Sequence, residues 1–484
     1  MGKLYITTTI PYVNALPHIG HALEFVQADV IARSRRAAGD TVYFLSGADE
    51  NAMKNVQAAE KAGVPTEAFV ARNSQAFKDL LAALAVSNDQ FIRTTEKRHT
   101  LGAQALWKAT KPDDIYKKSY RGLYCTGCEL FYRPEELNEQ GECAEHPGRK
   151  PDVVEEENYF FRLSAYGDWL KTLITSGELK IVPDSRKNEI LAFIDRGLED
   201  FSISRPVSRS KGWGVPVPGD EEQTMYVWYD ALANYITALG YPDATDLYRN
   251  FWAENPERLH ILGKGVSRFH AVYWPAMLKS AGLPVPTHEF VHGYVTIDGK
   301  KISKTLGNVI DPFAIIKTYG ADAVRYYLLR EISSYDDGDF SEARFKERHT
   351  ADLANGLGNL VARVAALGAQ CGPITLKELD TRASMPHPAQ YDELMSAYRF
   401  REVLDGIWHE LGAMDKYIND QKLWQQETQI LRHGVAACAM GILYQAKLLE
   451  PFLPNTVARI REQFVLQGDT LTIVKGAPLF PRIS

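Results

Sequence analysis

An apolar, β-branched run that hands over to a helix through a proline-bracketed loop constrains this chain more than any other feature. Leu4-Tyr5-Ile6-Thr7-Thr8-Thr9-Ile10 reads as a buried strand. Pro11 and Pro17 bracket the loop, and Ile19, Leu23, Val26, Val30 and Ile31 then recur at helical spacing until Gly39. His18 and His21 fall in the first helical turn, where unpaired backbone N–H groups and the positive dipole end favour an anion. Gly20 leaves room for a flat adenine or ribose to approach the backbone. Two histidines at this junction point to phosphate binding. The alternative is that His18 caps the helix and His21 packs on the surface.

A second stretch far downstream strengthens the phosphate reading. Phe290-Val291-His292-Gly293-Tyr294-Val295-Thr296-Ile297 reads as a strand, and Asp298-Gly299-Lys300-Lys301 as a turn. Lys301-Ile302-Ser303-Lys304-Thr305 is then a Lys-x-Ser-Lys loop between Gly299 and Gly307. Such a loop can close Lys301 and Lys304 over a bound triphosphate. One cationic donor aimed at developing charge is worth about 3 kcal/mol, roughly a hundredfold in rate. A solvated basic turn is the alternative, and the lysines alone would not displace it. In this order, the two stretches resemble the paired signature of class I aminoacyl-tRNA synthetases.

The chain has 484 residues, enough for two or three domains with sizeable cores. The net charge of −6 means that any nucleic acid must be met by local basic patches rather than by the overall field. No apolar run reaches membrane-spanning length; residues 435–453 come nearest and are broken by Gln445, Lys447 and Glu450. With no signal-like region ahead of the first strand, a cytoplasmic enzyme is expected. Cys125, Cys128, Cys143 and His146 form Cys-x2-Cys and Cys-x2-His half-sites, good spacing for one structural Zn2+ with no open position. The metal would hold a lobe too short and polar to build a core. Two unrelated half-sites or a redox Cys-x-x-Cys are the alternatives. Cys371 and Cys438 read as buried small apolar residues.

Along the chain, Val42-Tyr43-Phe44-Leu45 reads as a strand ending at Gly47-Ala48-Asp49-Glu50, which sets carboxylates at the edge of a parallel sheet where ligands bind. The sheet is expected to resume at Met225-Tyr226-Val227-Trp228 and at Leu259-His260-Ile261-Leu262-Gly263. From about Lys346 the pattern is almost entirely helical, with one Pro/Gly-containing interruption from Cys371 to Pro388. Leu394, Ala397, Phe400, Leu404, Ile407 and Leu411 recur in steps of three and four.

Over essentially its whole length the chain resembles the methionyl-tRNA synthetases. Thr9-Ile10-Pro11-Tyr12, Tyr226-Val227-Trp228-Tyr229-Asp230-Ala231 and Phe269-His270-Ala271-Val272-Tyr273-Trp274-Pro275 resemble that family's methionine-pocket segments. The resemblance implies an α/β fold: a Rossmann-type catalytic domain (residues 1–113 and 220–290) split by a zinc-bearing connective insertion (114–219). A signature-loop and stem-contact region (291–345) and an α-helical anticodon-binding bundle (346–484) follow. It implies that Ile10, Tyr12, Trp228, Ala231, Tyr235 and His270 line the methionine side-chain pocket and that Asp49 holds the α-ammonium. A thioether suits polarizable aromatic walls, and an ammonium in a cleft needs a carboxylate. Read without the family, Trp228 and Tyr235 are ordinary core residues. ATP, with Mg2+, is assigned to His18, Gly20, His21, Lys301, Ile302, Ser303 and Lys304, the histidines and lysines being catalytic.

Asn359, Arg363 and Trp424 match positions that the family uses to read the CAU anticodon of tRNA(Met). Asn359 and Arg363 share a helix face, and an exposed Trp can stack an unpaired base. The plainer alternative is that Trp424 anchors the bundle and Arg363 makes a surface ion pair. The chain departs from the family pattern at Asn51-Ala52, where His-Gly is common, and at Gly265, where Asp is usual. The resemblance implies a two-step reaction through methionyl-adenylate, and the expected protein is a monomer with no membrane association. A synthetase-like paralogue without charging activity and a nucleotidylyltransferase are the rivals.

Overall fold

Strand β1 (Lys3–Thr8), buried from its second residue onward, organises the first of two units in the computed structural model. The structure describes residues 2–125, 130–143, 148, 150–302, 309–376, 388 and 390–482. The first unit comprises Met1–Pro17, Arg35–Asp79 and Asn88–His292, and the second His18–Ser34, Leu80–Ser87 and Gly293–Ser484.

In the first unit β1 pairs in parallel with β2 (Thr41–Ala48) on one side and with Arg258–Gly263 on the other. The six-stranded sheet runs Gln90–Arg93, β2, β1, Arg258–Gly263, His288–His292, Lys180–Val182, and every pairing is parallel. The chain builds outward from β1 to one side and returns later to build the other, so strand order reverses beside β1. Loops leaving the carboxyl ends of β1 and Arg258–Gly263 therefore diverge and open a crevice. The edge strand Lys180–Val182 comes from residues 114–219, expected to stand outside this sheet, and is too short to announce itself in the sequence. The main feature of residues 114–219 is an antiparallel ladder from Ile115↔Phe161 to Tyr124↔Asp152, with Leu130–Tyr132 added along Ile115–Cys125.

Three expectations need correction. Residues 225–228 do not rejoin the parallel sheet: Asp220–Met225 pairs with Ser204–Pro206 and Pro216–Val217 in a separate antiparallel sheet, and a helix begins at Val227. Residues 290–297 are not one strand but the ends of two, His288–His292 and Val295–Ile297. The break falls at Gly293, where a Cβ would stand 2.2 Å from the Asp336 carbonyl carbon, so only glycine permits that approach. The third concerns the tail, which is not all helix: Phe464–Gln467 and Thr470–Ile473 form a hairpin joined by Ile374–Thr375.

In the second unit, Val295–Ile297 turns back through Asp298 (φ 53°) and Gly299 (φ 70°) to Lys300–Lys301. Both turn residues are left-handed, as a two-residue hairpin of matching twist demands. Its helices include Asn359–Gly368, Phe400–Asp420, Thr428–Leu449 and Pro454–Gln463. Arg325, fully buried, ties its segments together: it pairs with Asp29 at 2.7 Å and donates to the carbonyls of Phe452, Pro451 and Leu84. Burial alone would raise the Asp29 carboxyl, but Arg325 and then Arg33 outweigh it and hold its pKa below the usual range. Among the described residues no helix is long and apolar enough to cross a membrane.

Candidate active site

The crevice at the strand-order reversal holds a cavity lined by Ile10, Tyr12, Asp49, Trp228, Ala231, Tyr235 and His270, all seven residues assigned to methionine, together with Thr9, Pro11, Leu232, Asn234 and Val266. The loop after β1 is pinned to the end of β2: Tyr12 bridges to Asp49, whose N–H donates to the Pro11 carbonyl at 2.9 Å. Trp228 and Ala231 lie on the helix Val227–Leu232 and Tyr235 on Asn234–Thr237. His270 sits in a π-helical turn, Phe269–Tyr273, a widened geometry common at functional sites.

These groups hold one another. The Trp228 ring lies flat on Phe269, centroids 3.7 Å apart at 6°, and stands edge-on to Tyr12 at 6.1 Å. The Tyr5 hydroxyl donates to the Tyr235 carbonyl at 2.8 Å. His270 Nδ1 lies 3.0 Å from the Val266 carbonyl, which can only accept, so Nδ1 carries the proton. Nε2 lies 2.8 Å from the Tyr235 hydroxyl, and in the neutral ring accepts from it. The wall is thus aromatic and fixed on this side, with the buried Asp49 as its carboxylate.

A largely buried chain that sequence reasoning missed supports this cavity. Asn51 Nδ2 donates to Asp230 Oδ2 at 2.7 Å, Asp230 Oδ1 lies 2.6 Å from His99 Nε2, and His99 Nδ1 lies 2.8 Å from the Thr237 hydroxyl. The Asn51 backbone N–H donates to Asp49 Oδ1 at 3.1 Å. Asn51, noted in the sequence only as a departure, therefore joins the Asp49 loop to the helix carrying Trp228. Asp230 stood unassigned inside a quoted motif, and His99 carries no local signal. Glu50, equally buried, is engaged by Ser74, Arg93 and Thr95 and is a structural carboxylate.

In the second unit, helix α1 (Ile19–Ala37) begins one residue after His18. The His18 backbone N–H donates to His21 Nδ1 and the Gly20 N–H to His18 Nδ1, each at 3.1 Å. Both Nδ1 atoms are acceptors, which makes Nε2 the protonated nitrogen in each ring. The rings lie 3.9 Å apart, and desolvation followed by the neighbouring His18 pushes the His21 pKa well below the ordinary value. A Cβ on Gly20 would come within 3.0 Å of the His18 ring, and Ile302 Cδ1 would lie 3.7 Å from it. Lys301 ends the hairpin described above. Ser303 and Lys304 lie outside the described residues.

Asn359 opens the helix Asn359–Gly368 and is exposed. Arg363 pairs with Asp415 at 2.5 Å, donates to Asn419 at 2.7 Å and stands 5.9 Å from the Trp424 ring, which is 51% exposed. Trp424 is therefore not a core anchor, while Arg363 does make the surface ion pair. Cys128 and His146 lie outside the described residues. Cys125 and Cys143, one from each half-site, are both buried with sulfurs 3.3 Å apart. Thiolates sharing a tetrahedral zinc at about 2.3 Å stand roughly 3.8 Å from each other, whereas a disulfide spans about 2.05 Å. Two thiols converging on one point fit a shared metal. Cys371 and Cys438 are buried as expected, and burial pushes the Cys438 thiol up to about 12.

A parallel sheet with its order reversed beside the first strand, and a cavity at that reversal, defines a doubly wound, Rossmann-type α/β fold. A family model described as tRNA synthetases class I (M) matches residues 4–147 and 140–365, and the chain belongs to that family. It is 45% identical over 482 residues to a methionine–tRNA ligase of Brucella suis, covering 96% of this chain and 92% of that protein. It is 40% identical over 511 residues to the methionine–tRNA ligase of Thermotoga maritima, covering 99% and 80%. Among solved structures, Mycobacterium tuberculosis methionyl-tRNA synthetase in complex with methionyl-adenylate superimposes with a TM-score of 0.90 at 36% identity, covering 100% of both chains.

Proposed function

We propose that this chain joins L-methionine to tRNA(Met), for initiation and elongation, through a methionyl-adenylate made from ATP. The observation that carries this reading is the cavity at the strand-order reversal, walled by Tyr12, Trp228, Tyr235 and His270 with Asp49 at its edge, in a chain whose full-length structural match holds methionyl-adenylate. The aromatic walls receive the thioether, and Asp49 pairs with the α-ammonium. The methionine carboxylate attacks the α-phosphorus of ATP in line, and pyrophosphate leaves. His18 and His21 offer Nε2–H donors to the phosphate oxygens, with Gly20 and Ile302 beside them. Lys301 and Lys304, with Ser303, stabilise the charge that develops as pyrophosphate departs. Mg2+ accompanies ATP and neutralises phosphate charge. The terminal adenosine of tRNA then takes the methionyl group from the adenylate through its 2′-hydroxyl.

Cys125, Cys128, Cys143 and His146 hold a structural Zn2+ that staples the insertion lobe. Removing it with a chelator is expected to lower thermal stability and release one zinc per chain, read by atomic absorption. Asn359, Arg363 and Trp424 read the anticodon, with Trp424 as the stacking platform and Arg363 leaving Asp415 for a base edge. The enzyme works as a cytoplasmic monomer.

Methionine-dependent ATP–pyrophosphate exchange and charging of tRNA(Met) test the reading. His18→Ala and His21→Ala are each expected to lower exchange about a hundredfold. Because His21 acts as a neutral donor, wild-type exchange should not decline as pH rises through 6 to 8. A fall across that window would assign charge rather than hydrogen bonding to the imidazole. Absence of exchange with methionine in folded protein would overturn the function.

A further inference from the structure

We propose that the first unit carries a second cavity that takes one nucleotide, a flat amino-bearing base with its phosphate. The inference rests on the proposed tRNA-charging function only for one of its two sources, the single-stranded 3′ end of tRNA; the other is a free nucleotide. This cavity shares no lining residue with the methionine cavity. Its floor is the insertion ladder. Tyr120 stands edge-on to Phe131 at 5.0 Å and to Phe160 at 5.5 Å, and all three line the space.

Arg205 closes the cavity and is only 6% exposed. Its Nη1 donates to the Ser202 hydroxyl at 2.8 Å and the Ser204 carbonyl at 2.7 Å, and its guanidinium stands over Tyr226 at 4.5 Å and Phe131 at 5.0 Å. Its Nε is buried without a hydrogen-bond partner, and among the described residues no carboxylate pairs with it. Buried cations are ordinarily paired with an anion. The three carboxylates that share the cavity are engaged elsewhere: Asp200 accepts from Tyr116 at 2.7 Å and from Ser164, Glu136 from the Arg133 N–H at 2.9 Å, and Glu199 from Arg133 Nη1 at 3.4 Å.

Aromatic walls that stack a base, beside a guanidinium with an unused donor, are the chemistry of single-nucleotide recognition. The phosphate supplies the missing anion for Arg205. Rim carboxylates such as Asp200 can still accept from an exocyclic amino group, as carboxylates do from cytosine.

The test measures equilibrium binding of CMP and of the trinucleotide CpCpA to the full chain, with and without tRNA(Met), for wild type, Tyr120→Leu and Arg205→Gln. The expected result is that CpCpA binds, intact tRNA displaces it, and both variants weaken it at least tenfold while methionine-dependent exchange stays within twofold of wild type. Equal binding of CMP that tRNA fails to displace, with the same loss in the variants, assigns the site to a free nucleotide. No binding of either probe at millimolar concentration, or binding unchanged in both variants, overturns the proposal. Tyr120 lies on the wall and Arg205 at the back, so a folding defect in one leaves the other to decide. Failure of exchange in the wild type sinks the proposed function but not the cavity, which the binding data judge alone.

Discussion

Arg325 in the second unit and Arg205 in the first are both buried guanidiniums, and the chain treats them in opposite ways. Arg325 has a carboxylate, Asp29, at 2.7 Å and three backbone carbonyls as acceptors. Arg205 has one hydroxyl, one carbonyl and a set of aromatic faces, with Nε unpartnered. A buried cation with a full set of acceptors holds segments together, here those around Asp29, Leu84 and Pro451. One that keeps an unused donor against rings is suited to an anion that arrives from outside. Burial of charge therefore has a structural form and a receptive form in one polypeptide.

The sharpest way to break this contrast is Arg325→Leu. It leaves the desolvated Asp29 with only Arg33 and Ser87, strips three carbonyls of their donor, and is expected to cost about 3–5 kcal/mol in denaturant unfolding. Adding Asp29→Leu should recover part of that loss. Arg205→Gln removes no ion pair; it forfeits ring contacts and two hydrogen bonds that the Gln amide can partly replace, about 2 kcal/mol or less. Equal losses from Arg325→Leu and Arg205→Gln would erase the distinction. The Asp29 carboxyl is held below its usual range, so its stabilisation is present above the unfolded carboxylate pKa and disappears as pH falls through the folded value. Wild type should accordingly lose stability in acid more steeply than the double variant.

What the sequence disclosed follows a physical line. The strand Lys3–Thr8 and the helix Ile19–Ala37 were legible because β-branched burial, bracketing prolines and a 3.6-residue period are local signals. The seven methionine-pocket residues came from family resemblance, since nothing local distinguishes Trp228 or Tyr235 from core residues. The break at Gly293 was illegible because its cause, the backbone of Asp336, lies far off in sequence. The hairpin Phe464–Gln467 and Thr470–Ile473 did have a signal, alternation around Gly468-Asp469, which the helical pattern before it obscured. The Asn51–Asp230–His99–Thr237 chain required the fold, because its members are polar, far apart in sequence and, Asn51 aside, fully buried. Arg205 was invisible for the opposite reason: only the absence of a counter-charge makes it unusual.

The first unit holds one more ionisable group without a partner, and it sharpens the contrast at the smallest scale. Glu289 is fully buried in His288–His292, in register with His260 on the neighbouring strand, and neither of its carboxyl oxygens has a hydrogen-bond partner among the described residues. Burial raises the Glu289 pKa well above the glutamate range, and burial followed by His270 lowers that of His260 well below the histidine range. Unlike Arg205, Glu289 can shed its charge by holding its proton, so it needs no anion or cation to arrive. The folded state binds that proton more tightly than the unfolded chain, and stability falls as pH rises from the unfolded glutamate pKa towards the folded one. Glu289→Leu keeps the volume and removes the titration. It is expected to stabilise the chain by about 1–3 kcal/mol at pH 8, with a smaller gain at pH 5, read from urea midpoints at both. A gain independent of pH would mean that the carboxyl finds solvent or a partner in solution, and a loss would mean that the acid form is itself useful to the packing around His260.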